Sequence, residues 1–223
     1  MDVLDAVNEI INKNPNINLL TFTKYPKQIL IQNRIKLNVI DEKFISAAQS
    51  IRNNFSLPFW DSLMLSFFDK ENVSIELLSS ALLHNKNTDK IRTRKIEDIR
   101  IFLDNNPKDN LSLNSEIFLN DNSIKHLLLL DFHIFPSTNN FKIVYDILCI
   151  LNVHGYILDS GESYHFVSNS FYELDSLLDL LAKALLFSPI IDRAWIAHQI
   201  LERSCSLRVG EKHNITPTVI NKV

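Results

Sequence analysis

Glycine is almost missing from this chain, with three residues in 223 and none before Gly155. A Walker A loop, a dinucleotide-binding GxGxxG turn and a kinase glycine loop each need several glycines in a short window, so all three are excluded. Cysteine is as scarce. Cys149 and Cys205 lie far apart in apolar runs, which excludes a CxxC zinc site and suggests two buried thiols in a reducing compartment. Excess positive charge is lacking too. With 23 Lys and Arg against 26 Asp and Glu the net charge is −3, so any phosphate-binding surface must be a local patch. Long apolar runs are absent: Leu127–Leu130 is short, and Leu177–Ile191 is broken by Asp179, Lys183, Ser188 and Pro189, so no membrane span is expected. The first residues show no basic segment leading into an apolar stretch and a small-residue cleavage site, so a cytoplasmic protein is expected.

The composition is otherwise that of an ordinary globular protein, 46% apolar and 22% charged, enough for one full-sized domain or two small ones. Three organisational segments are expected: a mainly helical N-terminal part over 1–124 that ends in a basic connector, a second module over 125–210, and a tail over 211–223. In the first, the apolar spacing of Phe44–Arg52, Trp60–Phe68 and Ile75–Leu83 is helical, while Asn18–Thr23 and Gln28–Leu37 read as strands. Lys86, Lys90, Arg92, Arg94, Lys95 and Arg100 form the connector's basic cluster, either a solvated surface or one that touches a nucleic-acid backbone.

The C-terminal part is more regular. Lys125–Phe135 reads as a buried strand ended by Pro136, with Ser137 capping a helix over Thr138–Asn152. Its apolar positions are Phe141, Val144, Tyr145, Leu148, Cys149 and Leu151. Tyr156–Asp159 and Tyr164–Val167 are short strands around a turn at Ser160-Gly161-Glu162. Helices come next over Phe171–Phe187 and within Ile190–Arg203, and Cys205–Val209 returns as a strand. The order β-α-β-β-α(α)-β is the ferredoxin-like or RRM-like pattern, so the expected class is α+β. That pattern by itself implies no function.

Alternation along the strands puts Asp131, His133, Ser163, His165 and Arg208 on one sheet face, opposite Leu128, Leu130, Phe132, Tyr164 and Phe166. The last strand is expected to bury Cys205, Leu207 and Val209 and to leave Ser204, Ser206 and Arg208 open. Sheet packing requires no carboxylate, imidazole pair, hydroxyl and guanidinium on one face, so the set reads as a site. Ordinary roles compete with it: Asp131 capping a turn, His133 and His165 as core imidazoles bonded to carbonyls, Ser163 as a turn residue, Arg208 as a solvated edge residue. A one-residue slip would drive Asp131 into the core at a high cost.

The same residues carry a resemblance. Leu130-Asp131-Phe132-His133, Ser163-Tyr164-His165 and Ile191-Asp192 resemble the three signature motifs of the archaeo-eukaryotic primase superfamily. The stretches Gly155–His165 and Ile191–His198, with Leu207-Arg208 after them, resemble its bacterial primase-1D-like branch. The resemblance covers about residues 125–210. It implies that Asp131 and Asp192 ligate Mg²⁺ or Mn²⁺ and that Ser163 and His165 contact the phosphates of an NTP or dNTP. Arg193, His198 and Arg208 are further nucleotide-binding candidates. The implied activity is nucleotidyl transfer on single-stranded or primed nucleic acid, with other proteins as partners. One position departs from the pattern: His133 stands where active polymerases of the superfamily carry a second acid, and imidazole suits Mn²⁺ better than Mg²⁺. His133 therefore stands as a third metal ligand, a general base, or the mark of a site that binds nucleotides without polymerising them. Asp192 also fits a plain helix N-cap after Pro189, and His198 plain packing beside Trp195.

Two functional classes are consistent with these residues: a primase-polymerase-like nucleotidyltransferase, or a catalytically degenerate nucleic-acid- or nucleotide-binding subunit of a larger replication, repair or defence complex. An RNA-recognition module is disfavoured, because the outward positions of the central strands are Asp, His, Ser and His rather than stacking aromatics. A purely structural scaffold leaves the polar face unexplained.

Overall fold

The computed structural model describes residues 1–25, 42–68, 70, 75–80, 88–106, 110–212 and 214–223. Two compact units result, Met1–Pro26 with Thr88–Val223, and Lys27–Asn87. The smaller unit contains helices α2 (Glu42–Phe55), α3 (Phe59–Leu65) and α4 (Ile75–Ser80). Its buried apolar cluster is Phe44, Ile45, Ala48, Leu63 and Phe67, with the rings of Phe44 and Phe67 edge to face at 4.8 Å. The strand expected over Gln28–Leu37, the end of the helix expected over Ile75–Leu83, and Lys86 lie outside the described residues.

The larger unit is built on one eight-stranded sheet, which confirms the α+β class. In chain order its elements are α1 (Val3–Lys13), β1 (Ile17–Tyr25), β2 (Asp89–Thr93), α5 (Ile96–Asn105), β3 (Asn110–Leu119), β4 (Ile124–Phe132), α6 (Thr138–Ile150), β5 (Gly155–Asp159), β6 (Tyr164–Tyr172), α7 (Leu174–Leu185), α8 (Arg193–Glu202), β7 (Ser206–Arg208) and β8 (Thr218–Lys222). Strands run in the order β2-β1-β3-β4-β6-β5-β8, and every neighbouring pair is antiparallel. Among the described residues no helix is long and apolar enough to cross a membrane.

Local chemistry explains these elements. Asp2 and Asp5 form a reciprocal capping box that starts α1, and Ser137 caps α6 through the Asn140 N–H. The helix α1 buries Val3, Leu4, Ala6, Val7, Ile10 and Ile11. In β4, Leu127, Leu128, Leu129 and Leu130 are all fully buried, as a central strand covered on both faces requires. Gly155 starts β5 where the chain passes so close to β6 that a Cβ would lie 2.2 Å from the Val167 carbonyl oxygen.

Several sequence expectations are corrected. The boundary at residues 124 and 125 falls inside the sheet, because β3 and β4 are antiparallel neighbours across a short turn. The N-terminal part supplies three strands to that sheet. The expected tail contributes β8, which pairs with β5 while Val219 N–H donates to the Met1 carbonyl. The last strand of the expected ferredoxin-like unit, β7, pairs with the first half of β3 at Ser112–Asn114 rather than with β4. Ser204 and Ser206 are consequently buried rather than open, and the Asn114 side-chain amide bonds to both hydroxyls at 3.4 and 3.2 Å. Finally, Cys149 is exposed, because α6 turns Val144, Ile147 and Leu148 inward; Cys205 is buried as expected.

At the centre, β4 lies antiparallel to β6 with Asp131 opposite His165 and Phe132 opposite Tyr164. Two extra residues bulge out of β6 between the partners of Leu127 and Leu129, and the Ser168 hydroxyl fills the ladder by accepting the Leu128 N–H at 2.8 Å. On the other edge of β4, Ile191 bridges to Phe132. His133 N–H donates to the Ile190 carbonyl at 2.7 Å, and Asp192 N–H to the Asp131 carbonyl at 3.3 Å. The segment carrying Asp192 is thereby fixed beside the end of β4.

Candidate active site

At the end of β4 a run of four buried leucines gives way to a carboxylate. Leu127 and Leu129 are sealed, so the polar part of this face of β4 begins at Asp131. Protein surrounds the Asp131 carboxylate on most sides, yet 31% of the side chain reaches solvent, which describes a recess. Its neighbours are the residues that alternation points to. The His165 Nε2 lies 3.6 Å from Asp131 Oδ1, and the Ser163 hydroxyl donates to the same oxygen at 3.4 Å. Ser163 is itself held by the turn before it, because Ser160 donates from both N–H and Oγ to the Ser163 carbonyl at 2.9 Å.

Asp192 is an N-cap, as one of its sequence readings requires: its Oδ1 accepts the Trp195 N–H at 3.0 Å. It also belongs to the site. Burial first, and then the negative charge of Asp192, push the Asp131 pKa up to about 7, against the opposing pull of Ser163, Lys212 and Arg208. The two carboxylates are thus near enough for the charge of one to hold back ionisation of the other. His165 moves the other way. Burial, with Arg208 and Lys212 adding, pushes its pKa down to about 3, so the imidazole is neutral at physiological pH.

Arg208 also lies near Asp131 and His165. Its guanidinium donates to three backbone carbonyls, those of Gly210 at 2.6 Å, Ser160 at 3.0 Å and Ile215 at 3.1 Å. It acts on both Asp131 and His165 through its charge.

Asp131, Ser163, His165, Asp192 and Arg208 are therefore brought together. His133 leaves β4 two residues beyond Asp131, anchored through its backbone N–H. Arg193 opens α8 with an exposed side chain, and His198 lies buried further along that helix. Burial lowers the His198 pKa while the Asp192 charge opposes it. Sequence reasoning missed Lys212, which it assigned to a tail. Nothing in the spacing of that stretch marks it, since its approach depends on β7 and β8 joining the sheet. Three residues of the connector's basic cluster are engaged elsewhere: Arg100 binds Asp2 and Asp5, Lys90 binds Glu116, and Arg92 lies over the Phe118 ring.

Among the described residues no group of three or more His, Cys, Asp and Glu side chains is arranged to hold a metal ion. The carboxylate donors at the recess are two.

Comparison with known proteins adds one finding. A family model described as archaeo-eukaryotic primase 1D-like matches residues 99–221. No curated protein and no solved structure matches the chain significantly. The match extends beyond 125–210 on both sides, into α5 and β3 at one end and β8 at the other, and so takes in every strand of the sheet but β1 and β2. Spanning more than half of the 223 residues, it establishes that the chain belongs to the archaeo-eukaryotic primase 1D-like family.

Proposed function

We propose that the recess at the end of β4 binds the polyphosphate of an NTP or dNTP together with a divalent cation, and that the protein is a primase-polymerase-like nucleotidyltransferase. The observation that carries this reading is the meeting of Asp131, Ser163, His165 and Asp192, from separate chain segments, within a family match that spans them all.

The donor set fits Mg²⁺ or Mn²⁺. Mg²⁺ is usually held by one or two carboxylates with waters and substrate phosphates completing its shell, and Asp131 and Asp192 are such a pair. Their mutual repulsion is relieved by a cation. Such an ion would supply charge stabilisation to the oxygens of the phosphoryl group under attack.

The protein's own groups divide the remaining work. Ser163 and neutral His165 offer hydrogen bonds to phosphate oxygens without adding charge, because the imidazole stays unprotonated above pH of about 3. Arg208 fixes the Ser160–Ser163 turn through the Ser160 carbonyl and so sets where Ser163 points. The reaction is in-line attack of a 3′-hydroxyl on the α-phosphate: a bond from phosphorus to the 3′-oxygen forms, the hydroxyl proton passes to water, the bond from the α-phosphorus to the bridging oxygen breaks, and pyrophosphate leaves with that oxygen.

A second reading is favoured by one specific feature. His133 occupies the position of a second acid, so two carboxylates stand where active polymerases of the superfamily carry three. On this reading the chain is a nucleic-acid- or nucleotide-binding subunit that has lost turnover. Incorporation of labelled NTPs and dNTPs on single-stranded and primed templates, with Mg²⁺ and separately Mn²⁺, decides between them. Product that disappears in Asp131→Ala supports the transferase. Nucleotide binding that depends on Asp131, without product under any condition, supports the binding subunit.

A further inference from the structure

Two loops flank the recess and are joined by charge. One is the Ser160–Ser163 turn between β5 and β6, which carries Ser163 into the site. The other lies between β7 and β8, where residues 209–212 and 214–216 are described. Three contacts tie them. Arg208 donates to the Ser160 carbonyl on one loop and to the Gly210 and Ile215 carbonyls on the other. Gly161, at φ +94°, packs so closely on Ile215 that a Cβ would lie 2.6 Å from its Cδ1. The Lys212 ammonium bonds the Glu162 carboxylate at 3.0 Å.

Arg208 and Gly161 are half-buried, and their contacts are the ones that hold the loops. The third is not needed for that. Lys212 and Glu162 side chains are 51% and 66% exposed, and an exposed pair of this kind adds little to stability. Lys212 is nevertheless close enough to act electrostatically on both Asp131 and His165. It sits on a turn closed by reciprocal backbone hydrogen bonds between Lys212 and Ile215, each at 3.0 Å. An exposed cation tied to the turn that carries Ser163, with its charge reaching Asp131, has one evident use. The recess then presents negative charge to a metal ion and positive charge to the anion that arrives with it.

We propose that Lys212 is a polyphosphate-binding residue that Glu162 holds in reserve. In the free protein the ammonium is paired with Glu162; when a polyphosphate enters, its terminal oxygens displace the Glu162 carboxylate and take the ammonium. Glu162 is thus a built-in competitor that lowers affinity for weakly charged anions more than for a triphosphate. This rests on the nucleotide reading of the site, and adds to it a cationic contact from outside the three motifs.

The test is a calorimetric titration of inorganic tripolyphosphate, and separately of ATP, each with Mn²⁺, into four forms of the full chain: native, Lys212→Gln, Glu162→Gln, and the exchanged pair Glu162→Lys with Lys212→Glu. Thermal melting checks that each folds, as expected for exposed positions. Glu162→Gln should bind tripolyphosphate about two- to fivefold tighter, the scale of one exposed ion pair. Lys212→Gln should bind about tenfold weaker, the scale of one charge-assisted hydrogen bond. The exchanged pair restores the ion pair and the net charge but should bind as weakly as Lys212→Gln. Native-like affinity in the exchanged pair would overturn the assignment, since any cation at the rim would then suffice. Unchanged affinity in both single variants, with native protein binding normally, overturns it as well and leaves the nucleotide site standing. No binding of either probe by native protein defeats the nucleotide reading itself.

Discussion

Raising the pH from 6 to 8 should tighten Mn²⁺ binding at the Asp131–Asp192 pair about tenfold. A cation binds the ionised carboxylate and must displace any proton on it. Burial and the charge of Asp192 place the Asp131 pKa at about 7, so the ionised fraction rises from about 10% at pH 6 to about 90% at pH 8. His165 does not contribute, because its pKa of about 3 keeps it neutral throughout. Isothermal titration of Mn²⁺ at several pH values measures the effect, and the protons released on binding give an independent reading of the same quantity. Two variants sharpen it. Asp192→Asn removes the neighbouring charge, so the rise should move to lower pH even as affinity falls. Asp131→Asn should abolish the rise. A pH-independent affinity in folded native protein, or an equal rise in Asp131→Asn, would refute the reasoning.

The same raised pKa bears on stability with a definite sign. Folded Asp131 keeps a proton that the unfolded chain releases near pH 4, so stability falls as pH rises from about 4 to 7. Asp131→Asn should therefore melt higher than native protein at pH 8 and alike at pH 4, by about 2–4 °C for each kcal/mol relieved; equal melting at pH 8 counts against a recessed, repelled carboxylate. Asp2 has the opposite sign. Burial works against its ionisation, but the Arg100 guanidinium and the capping-box N–H outweigh this and lower its pKa, so its contribution is present above about pH 4 and lost as pH falls below it. Asp2→Ala should cost about 1–2 kcal/mol in urea unfolding at pH 7, and much less at pH 3. Gly155→Ala should cost about 3 kcal/mol or more, because its Cβ meets the Val167 backbone rather than a movable side chain; a melting temperature close to native would contradict the packing of β5 on β6.

The site was more legible in the sequence than the fold around it. Asp131, Ser163 and His165 could be placed together because alternation along two strands is local and because Ser137, Pro136 and Gly155 punctuate the segments clearly. Asp192 was readable as a helix cap, which the structure shows, and its charge also acts on Asp131. Long-range pairing was harder to read. That β7 joins β3 rather than β4 depends on residues about 90 positions apart, such as Asn114 with Ser204 and Ser206, and no local periodicity encodes it. The same pairing is why Ser204 and Ser206 are buried despite lying at polar-face positions. β2 and β3 were hidden because their strands are rich in Lys, Arg, Asn and Ser, residues that also compose loops. Lys212 was missed for a related reason: its place at the rim exists only once β7 and β8 have both joined the sheet.

One measurement addresses the central claim most directly. Crystals grown with Mn²⁺ and a non-hydrolysable nucleoside triphosphate, measured at the manganese absorption edge, report the cation's position without reference to activity. The account predicts an anomalous peak between the Asp131 and Asp192 carboxylates, with triphosphate oxygens beside Ser163 and His165. An ordered triphosphate bound elsewhere, or manganese ligated by other side chains while the Asp131 recess holds only water, would contradict it.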